Sequence, residues 1–291
     1  MTIPLQQEAD SVTNWFEKND MVISSEKTKL MIVTTDANRA TKLTPLGTKF
    51  SVSVCNEVKD ETNSEKLLGV VMNNQMTWKN HLYLDDEIMG LLKELSQRVG
   101  IIRKIRNFVD NNVLKTIING MFTSKLIYGI TVYGGVWGLQ GIMNEEQIHS
   151  KSITKEDMRK LQVLQNSTLR ILLRKPRETP VTTLLRDANQ MSLQQLVAYH
   201  TACQTFKIYR NQQPAYHFNR LFGSENIERT RADTNLETRL EFVLSLARSS
   251  FFYQAAHIWN SLPYHMKTAT TIDKFKRALK SWIKLNITEK P

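Results

Sequence analysis

The sequence predicts an α+β fold that is predominantly α-helical, with a small antiparallel strand region at its N-terminal end followed by a helical bundle. Three short β-rich runs, at residues 29–34, 50–54 and 67–72, all fall within the first quarter of the chain. From residue 86 onwards, apolar side chains recur mostly at helical spacing. A chain of 291 residues, 41% of them hydrophobic, can bury a core of its own.

The N-terminal region begins with a predicted helix over residues 6–20, in which Ala9, Val12 and the pair Trp15-Phe16 share one face. The three strand-like runs follow it, and the last run ends at a predicted turn, Asn73-Asn74. This region supplies the strands of the predicted fold.

Helices are predicted over residues 86–106, 112–128, 155–173, 190–211 and 272–285. In the first of these the basic side chains, Arg106 among them, are predicted to lie off the apolar face. In the third, Asn166, Arg170 and Arg174 recur every four residues and are predicted to point the same way, outside the core stripe. The polar stretch at residues 223–239 is the predicted linker.

Positive charge is concentrated in the last two-thirds of the chain. Lys and Arg total 39 against 28 Asp and Glu, which gives a net charge of +11. Residues 1–100 carry a net charge of −3, so the remainder carries +14. Nucleic acid is the simplest partner for such a field, because each phosphate that is neutralised releases counterions. A solvated basic surface without a ligand is the alternative.

Two cysteines, Cys55 and Cys203, are too few for a disulfide framework or a Cys-rich zinc site, and they predict reduced thiols. The first residues have neither the basic start nor the apolar core of a secretory signal. The uncharged stretch at residues 126–143 contains five glycines, which favour a buried helix end and a glycine-rich turn over a membrane span. We therefore predict an intracellular protein, nuclear or cytoplasmic, that does not associate with a membrane.

Tyr83-Leu84-Asp85-Asp86 matches the Tyr-x-Asp-Asp motif, in which adjacent aspartates help to hold the two metal ions of a polymerase. That geometry needs apolar strands on both sides, whereas the residues after Asp86 follow a helical pattern. Asp85 fits the N-cap of this helix, and Asp86 fits the positive end of the helix dipole. The motif therefore predicts a helix start; a metal site that also uses Asp36 is the alternative.

No other pattern indicates a metal or a cofactor. The six histidines show no paired metal-ligand spacing. The glycines at positions 134, 135, 138 and 141 precede no Lys-Ser or Lys-Thr pair, so they do not form a phosphate-binding loop.

Five groups of residues follow one another along the chain. They are Asn14-Trp15-Phe16 with Lys27-Thr28-Lys29; Leu68-Gly69-Val70 with Thr77-Trp78 and His81; Leu126-Ile127-Tyr128-Gly129 with Val136-Trp137-Gly138; Leu164-Gln165-Asn166 with Leu169-Arg170; and Ile258-Trp259-Asn260-Ser261-Leu262-Pro263 with Phe275-Lys276. In this order they resemble the C-terminal half of the reverse transcriptase of non-LTR (LINE-like, jockey/CR1-type) retrotransposons. Ser24 and Asn73 depart from the pattern, since the family usually has Asn and Asp there.

The resemblance implies three regions: the end of the polymerase palm at residues 1–80, a helical thumb-like region at 81–222 and a C-terminal helical region at 223–291. It implies that Lys27 corresponds to the lysine on the pyrophosphate side and that Leu68 and Gly69 lie at the primer grip. The catalytic carboxylates of the family, which bind Mg²⁺, come before the first matching segment, and only 13 residues precede Asn14 here. The expectation is a truncated RNA-directed DNA polymerase that is inactive by itself and holds no cofactor, with a companion polymerase fragment as a partner.

The activity that such a fragment retains is predicted to be binding to the backbone of RNA, DNA or an RNA–DNA hybrid. The candidate phosphate-binding residues are Arg103, Lys104, Arg106, Arg170, Arg174, Lys175 and Arg177. Two alternatives stay open. One is a co-opted or pseudogene-like helical module that binds protein and has no nucleic-acid role, and the other is an active polymerase that uses Asp85 and Asp86.

Overall fold

The computed structural model describes residues 2–34, 50–55, 57–83, 90–139, 142, 153–222 and 250–287. Its internal contacts divide the chain into two units, residues 1–81 and 82–291. The predicted fold class is confirmed, because two small antiparallel sheets near the N-terminal end are followed by helices. The division into three regions stays a prediction, and the predicted linker at 223–239 lies outside the described residues.

The first unit contains one long helix and two hairpins. Its elements are α1 (Thr2–Lys18), β1 (Ser51–Val54), β2 (Glu57–Asp60), β3 (Ser64–Leu67) and β4 (Val70–Asn73), and the short helix α2 (Lys79–Leu82) closes it. Strand β1 pairs with β2 and β3 with β4, both antiparallel. Helix α1 covers the edge of β1 through Gln6, whose amide accepts a hydrogen bond from the Ser53 N–H at 2.8 Å and donates one to the Ser53 carbonyl at 2.9 Å. This side chain satisfies backbone groups that an edge strand would otherwise leave unpaired.

One predicted strand is wrong and another is divided between two strands. Residues 29–34 form no strand, since Leu30 makes only a single bridge to Glu61 and Thr34 donates to the Asn74 carbonyl at 3.1 Å. These partners lie at the ends of the two hairpins, so the segment passes the hairpins without running alongside a strand. Residues 67–72 are interrupted by a two-residue turn, with φ of 48° at Leu68 and 85° at Gly69. Positive φ at both positions is what a tight type I′ hairpin turn requires.

The described part of the second unit is helical. Its elements are α3 (Leu91–Ile105), α4 (Asn111–Ile117), a π-helical turn (Ile118–Thr123), α5 (Ser124–Ile127), α6 (Ile130–Tyr133), a 3₁₀ turn (Gly135–Leu139), α7 (Lys155–Leu173), α8 (Val181–Asp187), α9 (Leu193–Asn211), α10 (Ala215–Phe222), α11 (Phe251–Ser261), α12 (Tyr264–Lys267) and α13 (Ile272–Asn286). None of the helices in these ranges is long and apolar enough to cross a membrane.

The start of α3 differs from the prediction. The helix begins at Leu91 with Gly90 as its N-cap, whereas the sequence favoured a start at residue 86 with Asp85 as the cap. Gly90 packs so closely that a Cβ atom there would lie 2.4 Å from the backbone carbon of Tyr83. Gly90 therefore lies directly against the backbone of Tyr83. Asp85 and Asp86 themselves lie outside the described residues.

Helix α9 lies at the centre of the second unit and buries ten of its residues. The 3₁₀ turn packs directly on it, because a Cβ atom at Gly138 would lie 2.9 Å from the Ala198 nitrogen. On its other side α13 runs antiparallel to α9. Gln195 donates to the Ile287 carbonyl at 2.7 Å at one end, Phe206 stacks on Phe275 at 4.2 Å between centroids, and Arg210 donates to the Thr270 carbonyl at 3.4 Å at the other end.

Candidate nucleic-acid interface

Leu68 and Gly69, predicted at the primer grip, form the tip of the β3–β4 hairpin. The Leu68 side chain is 83% exposed. Val70 and Val71, the first two residues of β4 after the turn, are buried. The turn therefore exposes one apolar side chain directly beside two buried ones.

Lys27 lies in a tight turn, where its N–H donates to the Ser24 carbonyl at 3.2 Å. Its exposed side chain helps to line a cavity of about 500 Å³ in the first unit. The other lining residues are mainly apolar and come from α1, from the segment after it and from β1; they include Leu5, Val12, Phe16, Ile23 and Val54. Lys27 therefore borders an apolar cavity.

The three candidates at the end of α3 do not share one surface. Arg103 and Lys104 are exposed. Arg106 is only 7% exposed, and its Nη1 and Nη2 atoms are buried without a hydrogen-bond partner. The prediction that Arg106 lies off the apolar face is wrong, because position 106 is one turn after the buried Ile102 and continues the core stripe.

The predicted outward row on α7 is also wrong. Asn166 is buried and accepts a hydrogen bond from Gln162 at 2.8 Å. Arg170 is half-buried, donates to the Thr179 carbonyl at 3.3 Å and keeps its Nε atom buried without a partner. Both residues face neighbouring parts of the chain because α7 is covered on more than one side, whereas the role of Arg170 in binding phosphate stays a prediction.

Arg174, Lys175 and Arg177 lie together on the loop that follows α7, and all three are exposed. Arg174 ends the helix in the left-handed conformation, with φ of 53°. Lys175 lies 3.9 Å from the Asp187 carboxylate. Arg170 holds the far side of the loop through Thr179, so the loop presents its cations from a backbone that is tied at both ends.

Seven further cations, which the sequence did not single out as a site, lie on the helix pair α9 and α13. They are Lys207, Arg210, Lys274, Lys276, Arg277, Lys280 and Lys284. Asp273 is the one acidic residue in these two helices, so the pair carries a net charge of +6. The signal was present in the sequence as the basic helix 272–285, but only the fold shows that Lys207 and Arg210 join it.

Tyr83, the first residue of the Tyr-x-Asp-Asp motif, is tied to the start of α7. Its hydroxyl is hydrogen-bonded to the Asp157 carboxylate and accepts a hydrogen bond from Lys160 Nζ at 3.0 Å. Burial raises the pKa of Asp157, but hydrogen bonds from Tyr83 and Thr154 outweigh it and hold this pKa below its ordinary value. Tyr83 thus has a structural role at a helix start.

Asp36, Asp85 and Asp86, the carboxylates of the alternative polymerase site, lie outside the described residues. Within the described ranges no group of three or more His, Cys, Asp or Glu side chains lies close enough to hold a metal ion. The two thiols are free; Cys55 is exposed, and burial raises the pKa of Cys203 to about 11.

Comparison of the chain with protein-family models, with curated proteins and with solved structures finds no match in any of the three.

Proposed function

We propose that this chain binds the sugar-phosphate backbone of RNA, DNA or an RNA–DNA hybrid, and that it derives from the post-catalytic part of a non-LTR retrotransposon reverse transcriptase. The observation that carries the binding proposal is the loop after α7, where Arg174 and Arg177 are exposed on a backbone that Arg170 ties to Thr179. Guanidinium groups suit this task because they stay charged and can donate two parallel hydrogen bonds to one phosphate.

The charge distribution supports the same proposal. The net charge of +11 is a property of the chain beyond residue 100, since the first 100 residues are net acidic. Phosphate contacts of this kind fix a protein on a nucleic acid without reading its sequence. We therefore expect binding that depends strongly on salt and little on base sequence.

The derivation rests on the order of the five sequence segments and on the β3–β4 hairpin. Leu68 and Gly69 form a tight turn with the Leu68 side chain exposed, at the position where the resemblance expects the primer grip. Polymerase chemistry is not part of the proposal, which needs only the basic surface.

The proposal is tested by measuring the affinity of the full chain for a hybrid duplex over a range of salt concentrations. Arg174→Glu with Arg177→Glu should weaken binding and make the dependence on salt shallower, because contacts with phosphate are lost. Lys93→Glu with Lys115→Glu is the matched control, since both residues are exposed in the same unit and the change in net charge is identical. Arg170 is left unchanged because it supports the loop.

Equal effects of the two double variants would show that the loop contributes only to the general field. Failure of the wild-type chain to bind any nucleic acid at low salt would contradict the proposed function.

A second function, protein binding, is favoured by the cavity in the first unit. Leu5, Val12 and Phe16 line it from α1, and Val12 and Trp15 of the same helix are 51% and 55% exposed. An apolar helix face of this kind is typical of a docking surface for a protein. Retention of a protein partner that does not respond to salt, together with no binding of RNA or DNA, would favour this function over the first.

A further inference from the structure

Helices α9 and α13 pack as an antiparallel pair. Three contacts spread along their length fix the register: Gln195 to Ile287, Phe206 to Phe275, and Arg210 to Thr270. Phe275, Leu279 and Ile283 of α13 are fully buried. On this scaffold Lys207 is exposed, and Lys276, Lys280 and Lys284 are half-buried.

Three lysines form a row along α13. Lys276, Lys280 and Lys284 follow one another at intervals of four residues, so they lie one turn apart on one side of the helix. The row extends for about 12 Å along the axis, from the helical rise per residue. Lys284 is held in place by a hydrogen bond of 2.7 Å from its Nζ to Asn189 Oδ1.

Helix α9 adds a cation to the same region. Lys207 and Lys276 each directly follow a member of the stacked pair Phe206 and Phe275, and because the helices are antiparallel both lysines lie on the same side of the pair. Burial lowers the pKa of His200, and the positive charges of Lys207 from α9 and Lys276 from α13 lower it further. Lys207 and Lys276 therefore act on one site although they lie on different helices. The pKa of Lys284 is likewise lowered by burial and then by the charge of Lys280.

These cations lack acidic partners. Asp273 is the one carboxylate on the two helices, and within the described ranges none of the seven cations forms an ion pair with a carboxylate. The apolar contacts between the helices hold like charges together against their repulsion. A bound polyanion would relieve that repulsion.

We propose that this face, defined by Lys207, Lys276, Lys280 and Lys284, is a second phosphate-binding surface that follows the backbone of a single nucleic-acid strand. It deepens the proposed function, on which it rests, by adding a surface separate in sequence from the loop after α7. Because the row of lysines is longer than one phosphate group, it can contact successive phosphates of an extended strand. Ammonium groups are point charges without the planar fork of arginine, so contact with the backbone is independent of base sequence.

The test uses a double variant of the full chain, Lys276→Gln with Lys280→Gln. Its affinity for single-stranded RNA is compared with that of the wild type over about 50 to 200 mM salt. Loss of two contacts should weaken binding about tenfold and make the slope of log Kd against log salt shallower by about 1.4. Lys18→Gln with Lys115→Gln is the control of equal charge, since both residues are exposed and lie on other helices. The control should change the slope by less than half as much.

A second readout reports on the site itself. Addition of the RNA should raise the pKa of His200, followed by NMR, because phosphates offset the charges of Lys207 and Lys276. His257 is the internal control, because burial alone lowers its pKa, which should not move. A change at both histidines, or at neither, contradicts the proposed surface.

The outcomes separate this surface from the general proposal. If the Arg174 and Arg177 variant loses affinity and the Lys276 and Lys280 variant does not, the surface is overturned and the loop stands. If the reverse holds, the surface stands and the loop does not. If the wild-type chain binds vesicles of anionic lipid but no RNA, both are overturned.

Discussion

Arg106 shows how one residue can carry a charge without offering it to a ligand. Its side chain is buried at the end of α3, and two of its nitrogens have no hydrogen-bond partner. Burial of donors without acceptors costs free energy, since water is lost and nothing replaces it. The buried Arg106 side chain therefore lowers the stability of the fold and is not accessible to a ligand.

Replacement of Arg106 by Met should raise the free energy of unfolding by about 1 kcal/mol or more, because the apolar chain keeps the volume and removes the unpaired donors. Urea denaturation measures this change. Binding of RNA should remain as in the wild type. Arg103→Met, at an exposed position of the same helix, is the control and should change stability by less than about 0.5 kcal/mol. Destabilisation by Arg106→Met would show that the guanidinium makes a favourable contact.

The burial of Arg106 was predictable, because Leu95, Val99, Ile102 and position 106 lie on one helical stripe. Asn166 was less so. It lies outside the main apolar stripe of α7 and is buried because a second side of the helix is covered, which depends on tertiary packing.

At the scale of elements, α3 offers a matched pair of glycines. A Cβ atom at Gly90, the N-cap, would overlap the backbone of Leu82 and Tyr83 at 2.4 to 2.7 Å, whereas nothing lies within 4 Å of one at Gly100. Gly90→Ala should therefore destabilise the protein by about 2 kcal/mol or more, because backbone atoms must move. Gly100→Ala, inside the same helix, should stabilise it by up to about 1 kcal/mol. Thermal unfolding of both variants tests this, and equal shifts would contradict the close packing at Gly90.

Elements with local signals agreed best with the sequence. Helix α7 covers residues 155–173 as predicted, because Thr154 and Asp157 form a capping box at its start. Strand β2 was missed because its residues, Glu57 to Asp60, are mostly polar and exposed. The turn at Leu68 and Gly69 was hidden in an apolar run, since a Leu with positive φ is uncommon. Whether such a short segment forms a strand depends more on the segment with which it pairs than on its own composition.

For the whole molecule, the sequence predicted where positive charge is concentrated but not which faces carry it. Lys207 and Lys276 are 69 positions apart in the chain and act on the same histidine. No periodicity within one helix contains that information, because it depends on the antiparallel register of α9 and α13. The candidate site was therefore predictable in its chemistry and only partly in its position.

The proposed derivation makes a prediction about the gene. If the five segments reflect descent from a non-LTR reverse transcriptase, the genomic DNA before the codon of Met1, read in all frames, should encode an Asp-Asp hairpin. It should lie a few dozen residues before Asn14, because the palm places its catalytic hairpin there. Unrelated sequence at that place would count against the derivation, while the binding measurements would still decide the function.

The register of α9 and α13 also affects how the chain folds during synthesis. The contacts between the two helices join residues 60 to 92 positions apart. At typical rates of translation, α9 leaves the ribosome about 3 to 18 s before its partner does. During that interval an apolar helix face is uncovered, so the nascent chain is expected to need a chaperone at this stage.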